Sequence, residues 1–334
     1  MDRAADRPKT HNTTSLADFV INLDKPQGIT SHDAVTAVKR ALGLSKVGHA
    51  GTLDPAATGV LLILCGRATR LMPYLLALGK KYSVTMALGA ETDTLDTEGV
   101  VTRRMSFSHV TQHDVEPALA GFTGDITQTP PMYSAVKISG TPLYRLARKG
   151  IEVERKPRHV VIHALKLARF DPPFVHLDVT CSSGTYIRTL AADLARALGT
   201  CGHVHSLTRT AVGPFTVEDA VRLAPSSGLS EKSIDLDDAL AHLGELCLES
   251  DDLRMLLNGI TLKREPATPE SDDDGPDRII GAASSNCALT VTPCFLRIKD
   301  RAGALVCIAS AVGAEIKMVT PLSDFNKYLK QSFR

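Results

Sequence analysis

No stretch of this 334-residue chain approaches the roughly 20 consecutive apolar residues that a membrane-spanning helix needs; its longest apolar runs are of the size of Val60 to Cys65. Residues 1 to 18 lack the apolar segment of a secretory signal, so neither a membrane nor export is expected. The seven cysteines (Cys65, Cys181, Cys201, Cys247, Cys287, Cys294, Cys307) are odd in number, widely spaced and never in a CxxC pair. That pattern argues against a disulfide framework or a zinc ribbon and for a reducing, cytoplasmic setting. A basic excess is missing too: 38 Lys and Arg against 37 Asp and Glu leave a net charge of +1, which makes no global case for nucleic acid. There is no internal repeat, and no GKS or GKT follows a glycine-rich loop, which excludes a P-loop.

What is present is enough apolar material, 43% of residues, to bury a substantial core, and enough length for two domains. The charge is local. Between Lys137 and Arg169 stand nine basic residues (Lys137, Arg145, Arg148, Lys149, Arg155, Lys156, Arg158, Lys166, Arg169) against Glu152 and Glu154. Taken alone, such a run is ordinarily a solvated helix or strand face.

Along the chain, residues 1–18 are polar and aperiodic and read as a disordered tail. Order is expected from Phe19: a strand Val20 to Leu23, a turn Lys25 to Gly28, and a helix capped by Ser31 with apolar face Ala34, Val35, Val38 and Leu42. A glycine-rich loop, Val47 to Gly59, leads into a buried strand Val60 to Cys65, and Thr69 begins another helix. The alternation Tyr82, Val84, Met86, Leu88 marks one face of a strand over 81–89. Helices are expected over Thr111 to Ala120, Leu143 to Lys149 after Pro142, and Tyr186 to Leu198, with strands near Val160 to Phe170 and Val175 to Cys181. The irregular alternation predicts an α/β (α+β) fold with a mixed sheet rather than a doubly wound one. Composition changes over 225–250, and strands near 279–282, 295–299 and 305–309 suggest a compact β module interrupted by an acidic, proline-rich loop, 265–277.

The most informative segment is Gly48 to Gly59, whose three glycines permit close backbone approach while Pro55 stiffens the chain just after Asp54. Such a loop can hold a carboxylate rigidly towards a ligand. A turn or a helix cap is the alternative use of an aspartate beside glycines. Further on, an extended Cys201-Gly202-His203-Val204-His205 would place three soft ligands on one face, a set that could suit zinc, although no fourth donor is obvious.

Gly48 to Gly59 resembles the signature loop of the TruB family of pseudouridine synthases. Five further segments match in type and order: Lys25-Pro26-Gln27-Gly28, Lys81-Tyr82, Pro131 to Lys137, Gly184 to Leu190, and Gly202 to Leu207. The resemblance spans about residues 20 to 222. It implies a pseudouridine synthase fold with a largely antiparallel mixed sheet and central cleft in a catalytic domain, 19–245. A small PUA-like RNA-binding module over 250–325 would follow. The implied activity is isomerisation, without any cofactor or metal, of the T-loop uridine numbered 55 in tRNA.

The resemblance also implies roles. Asp54 is the catalytic carboxylate, Arg188 the arginine paired with it that keeps it ionised, and Tyr82 the tyrosine stacked on the base. His49 positions the extruded nucleotide, and Leu207 lines the uracil pocket. The stretch from Lys137 to Arg169 falls where the family has a thumb-like insertion, which makes Lys137, Arg148, Arg155 and Arg158, with Lys25 from the first motif, candidate substrate contacts. Outside that context Arg188 would be a surface helix charge, Tyr82 and Leu207 core residues, and His49 a turn residue. Three mechanisms remain open: addition of Asp54 to C6 of the base, addition to the ribose C1′, or deprotonation at C2′. The short, acidic-looped C-terminal part favours a stand-alone enzyme, expected as a monomer, over the guide-RNA-dependent branch of the same superfamily, and Asp54, Tyr82 and Arg188 together argue against a non-catalytic RNA-binding protein.

Overall fold

The computed structural model describes residues 18–138, 140–223, 228–229, 231–263, 279–280 and 294–322. The expected tail, apart from Asp18, and the acidic loop 265–277 lie outside them. By contacts the described residues divide into two compact units, one comprising Ile21–Ile63 and Met72–Ser233, the other Asp18–Val20, Leu64–Leu71 and those from Ile234 onward.

The larger unit begins with β1 (Phe19–Lys25) and α1 (Ser31–Ala41). The helix is capped one residue earlier than the sequence reading placed it. Thr30 accepts from Asp33 N while the Asp33 carboxylate accepts from Thr30 N, a closed capping box. That frees Ser31 for another task, described below. There follow β2 (Val47–Ala50), β3 (Thr58–Cys65), whose last two residues fall in the other unit together with a 3-10 turn over Gly66–Leu71, then α2 (Met72–Ala77), β4 (Lys80–Leu88), and a small ribbon of β5 (Ala90–Thr92) and β6 (Val101–Arg104). Next come α3 (Gln112–Ala120), β7 (Gly124–Gln128), the two-residue strands β8 (Lys137–Ile138) and β9 (Thr141–Pro142), and α4 (Leu143–Ala147). The unit ends with β10 (Arg158–Asp171), β11 (Phe174–Cys181), α5 (Ile187–Ala197), β12 (Gly202–Val212), β13 (Phe215–Thr216) and β14 (Val221–Arg222).

The main sheet runs β14-β1-β3-β12-β4-β11-β10-β7. The pairs β4–β12, β4–β11, β10–β11 and β7–β10 are antiparallel, whereas β3–β12 and β1–β14 are parallel. The sheet is thus mixed and largely antiparallel, as expected. Alternation along β4 does what the sequence pattern predicts: Tyr82, Val84, Met86 and Leu88 turn inwards, with Lys81 and Ser83 exposed. Those four pack with Leu177 and Val179 of β11 and with Ile187, Leu190 and Leu194 on the apolar stripe of α5. The result is one continuous core beneath the strands that carry the candidate site.

The second unit is a sheet ordered β16-β20-β19-β18-β15-β17, made of β15 (Gly244–Cys247), β16 (Leu262–Lys263), β17 (Ile279–Ile280), β18 (Cys294–Lys299), β19 (Leu305–Val312) and β20 (Glu315–Pro321), with helices α6 (Leu236–Ala239) and α7 (Ser250–Leu257). Its core gathers Leu253, Leu256 and Leu257 of α7 against Leu296, Ile298, Val306 and Ala309. Cys65, Cys181, Cys201, Cys247 and Cys307 are free thiols, while Cys294 is disulfide-bonded, which departs from the thiol-only expectation. Among the described residues no helix is long and apolar enough to cross a membrane.

Candidate active site

The loop after β2 is fastened from below by side chains that are far away in sequence. Gly51 takes a left-handed φ of +90°, a conformation that costs glycine little. The buried Ser31 hydroxyl accepts from Leu53 N at 2.8 Å and donates to Leu53 O at 3.0 Å, closing both backbone groups of the residue before Asp54. On the far side, Lys25 donates its Nζ to the carbonyls of Pro26 and Ile29, both at 2.9 Å, and of Pro55 at 3.3 Å. It is fully buried, and that burial lowers its pKa to about 8. Arg209 of β12, also buried, donates to Gly51 O at 2.9 Å, Thr52 O at 3.4 Å and Val60 O at 2.7 Å. At the loop's end Gly59 has a φ of +97°, and a Cβ there would stand 2.3 Å from the Arg209 carbonyl, so only a residue without a side chain fits.

Held this way, the Asp54 carboxylate faces Arg188 on the first turn of α5. Oδ2 lies 2.9 Å from Nε and Oδ1 accepts from an Nη at 3.2 Å, a two-pronged pairing. The guanidinium is buried and fixed on its other sides by Thr94 O at 2.8 Å, Tyr133 O at 2.7 Å and the buried Asp96 carboxylate at 3.3 Å. Asp96 is itself held by Thr94 Oγ1 at 2.6 Å and Glu98 N at 3.0 Å. Neighbouring groups enclose Asp54, yet 36% of its side-chain surface remains open. Burial pushes its pKa up and Asp96 adds to that, against the downward pull of Arg188, Lys25 and Arg209. Arg188 pairs with Asp54 as the sequence reading proposed, but desolvation outweighs the pair and the net displacement is upward.

Asp54 opens on a cleft of about 430 Å³, within the usual range for a ligand site. Tyr82 and Leu207 line it, together with Ser134 and Tyr186. Lys137 and Arg158, both exposed, also border it. Burial pushes the Tyr82 phenol up, with the Arg209 guanidinium beside it pulling the other way. The other candidates do not line this cleft. His49 sits on β2 with Nδ1 buried and without a hydrogen-bond partner, and burial lowers its pKa. Arg148 caps α4 at the surface, its guanidinium 5.7 Å from the Tyr144 ring centroid. Arg155 is half-buried and donates to Pro130 O at 3.1 Å. Lys25 lies under the loop, its ammonium directed at main-chain carbonyls.

The soft ligands read from Cys201 to His205 point to separate partners. The Cys201 thiol is directed at Arg103 O, His203 Nδ1 is 2.8 Å from Ala90 O, and His205 lies against the Phe174 ring. Among the described residues no three such side chains converge on a metal position.

Sequence reasoning missed Ser31 as a loop support, and it missed Asp96 and Arg209 altogether. A signal for Arg209 existed: once Leu207 is placed on a strand facing the cleft, the period of two puts Arg209 on the same inward face. Asp96, in a turn-rich stretch of small polar residues, carries no comparable pattern.

Two family models match the chain: the TruB family pseudouridylate synthase N-terminal domain over residues 39–187, and the tRNA pseudouridylate synthase B C-terminal domain over 188–243. The tRNA pseudouridine synthase B of Symbiobacterium thermophilum is 50% identical over 216 residues, covering 64% of this chain and 72% of that protein. That of Aromatoleum aromaticum is 45% identical over 252 residues, covering 74% and 82%. Among solved structures, a chain in a Cbf5-Nop10-Gar1 complex superposes with a TM-score of 0.69 over 94% of this chain and 87% of its own length, at 23% identity. That likeness shows a shared fold.

Proposed function

The chain belongs to the TruB family of pseudouridylate synthases, and on that premise we propose that it converts the T-loop uridine 55 of tRNA to pseudouridine, with Asp54 carrying the chemistry. The observation that supports this most is the Asp54 carboxylate itself. It is forked by a buried arginine and opens on a cleft walled by an aromatic ring and a leucine.

Isomerisation breaks the N-glycosidic bond, turns the uracil and rejoins it through C5, with no net redox change, so the reaction itself calls for no cofactor. A uridine stacked within a folded loop must first be extruded to bring its reacting atoms to a carboxylate inside a cleft. Tyr82 and Leu207 supply the flat and apolar walls against which a base can rest. Arg188 orients the carboxylate and balances its charge while water is excluded. Asp54 then acts on C6, on C1′ or on the C2′ proton. Lys137, Arg148, Lys156 and Arg158 bind phosphates around the entrance, and the C-terminal β module adds PUA-like contacts to the RNA. The enzyme works alone, as a cytoplasmic monomer and without a guide RNA.

The test is tritium release from an unmodified tRNA transcript carrying [5-³H]uridine, incubated with the purified protein alone, followed by mapping of the modified position. Release confined to uridine 55 is expected. Release only when a guide RNA is added would overturn the stand-alone reading, and modification elsewhere would overturn the site assignment.

A further inference from the structure

Arg209 is among the largest fully buried side chains of the chain, 2% exposed in the middle of β12. Its strand position places it between the two parts of the site. It stands opposite Tyr82 in the antiparallel pairing with β4, and opposite Gly59 in the parallel pairing with β3. Its guanidinium donates to the carbonyls of Gly51, Thr52 and Val60, and it is hydrogen-bonded to the Tyr82 hydroxyl as well. Carbonyls satisfy the N–H groups, and the Asp54 carboxylate feels the positive charge, which is expensive to bury. Gly51 lies over the guanidinium, where a Cβ would be in ordinary contact with one Nη at 3.5 Å.

Two of the three carbonyls belong to the residues two and three positions before Asp54, so movement of the guanidinium is transmitted directly to the carboxylate. The same group is hydrogen-bonded to Tyr82, which lines the cleft on which Asp54 opens. We infer that Arg209 is a positioning residue for the family's reaction, fixing the Asp54 loop and the Tyr82 ring in a single frame. Its charge also favours ionisation of Asp54 against the burial that opposes it. This rests on the reading that Asp54 carries the chemistry.

The test compares wild type, Arg209→Lys and Arg209→Met in the full chain by single-turnover tritium release from unmodified tRNA, with tRNA affinity, thermal unfolding and the pH dependence of the rate measured alongside. A lysine keeps the charge but cannot reach three diverging carbonyls. We expect a folded Arg209→Lys protein that binds tRNA within about twofold of wild type, because contacts with phosphates dominate affinity. Its rate should fall on the order of 10²-fold, the effect of a misplacement of about 1 Å. Its acid limb should stay where it is in wild type. In Arg209→Met the cation is gone as well, so the acid limb should move to higher pH. A Lys variant that reacts at the wild-type rate overturns the proposal, and one that no longer folds does the same by assigning Arg209 to stability alone. If wild type itself fails to release tritium, the catalytic reading of Asp54 falls and this proposal falls with it. An active wild type with an equally active Lys variant removes only the role of Arg209.

Discussion

The loop over 51–57 and the basic segment from Lys137 to Arg158 border the same cleft but are built on opposite terms. In the loop, Gly51, Thr52, Leu53 and Pro55 each have a backbone group engaged by a buried side chain, and those side chains come from β1, α1 and β12. In the basic segment, Lys137, Arg145, Arg148, Lys149, Lys156 and Arg158 are exposed, and the regular structure amounts to two short strands and a five-residue helix. One region is locked in place and the other is left facing solvent. Chemistry at a single atom requires the first arrangement; gripping a flexible polyanion is served by the second.

The most severe break in this comparison is Asp54→Asn, which keeps the size of the side chain and removes its charge. Single-turnover tritium release should vanish while tRNA affinity stays near wild type, because the proposed phosphate contacts lie in the other region. Appreciable release by the folded variant would place the chemistry elsewhere.

Next in size is Ser31→Ala, at a residue whose side chain is buried and outside the lining of the cleft. It leaves a buried N–H and a buried C=O of Leu53 without their partner, and should cost about 1–3 kcal/mol of stability in denaturant unfolding. If the loop is held for precision, the rate should fall as well, with affinity unchanged. Loss of stability with an unaltered rate would mean that the loop tolerates slack.

The pH dependence sharpens the same contrast. With the pKa of Asp54 raised in the folded state, the acid limb of the rate should lie above that of an ordinary aspartate, around 3.8. The linkage has a definite sign. A carboxyl that holds its proton more tightly when folded contributes stability below the unfolded pKa, and that contribution is lost as pH rises through the folded value. Asn carries no such proton, so the difference in unfolding temperature between wild type and Asp54→Asn should change with pH across that window and level off above it. A difference that is the same at every pH would contradict the raised pKa.

Smallest should be the effect of Lys156→Ala with Arg158→Ala. Each lost phosphate contact should reduce the slope of log K against log salt by about 0.7 to 0.9, with little change in unfolding temperature. Arg155 is left out because its guanidinium supports the Pro130 carbonyl, so removing it would mix a folding effect with a binding one. An unchanged slope would take these two residues out of the RNA interface.

Much of this was legible in the sequence because periodicity and family motifs report what faces inwards. The alternation from Tyr82 to Leu88 gave β4, and the Gly48 to Gly59 segment and Gly184 to Leu190 gave the two halves of the Asp54–Arg188 pair. What stayed hidden follows from long-range burial. Lys25 reads as a surface or substrate-facing charge until the carbonyls of Pro26, Ile29 and Pro55 are seen around its ammonium. Ser31 reads as a cap until Thr30 is found in that place. In the second unit, β15, β16 and β20 went unrecognised, two being four and two residues long, and β20 interleaving Glu315, Lys317 and Thr320 with its apolar residues.

The place of β12 in the sheet has a consequence for how the enzyme comes into being. β3 and β4 are neighbours along the chain but not in the sheet, because β12 lies between them. Arg209 follows Gly51 by 158 residues, and at about 5–20 residues per second a ribosome needs roughly 8 to 30 seconds to supply that distance. For most of that interval, once Tyr82 has been made, the growing chain carries Asp54 and Tyr82 but not the strand that joins them. A chain terminated before β12 holds β3 and β4 without the strand that pairs with both, so on the proposed reading its activity waits for that keystone to be inserted.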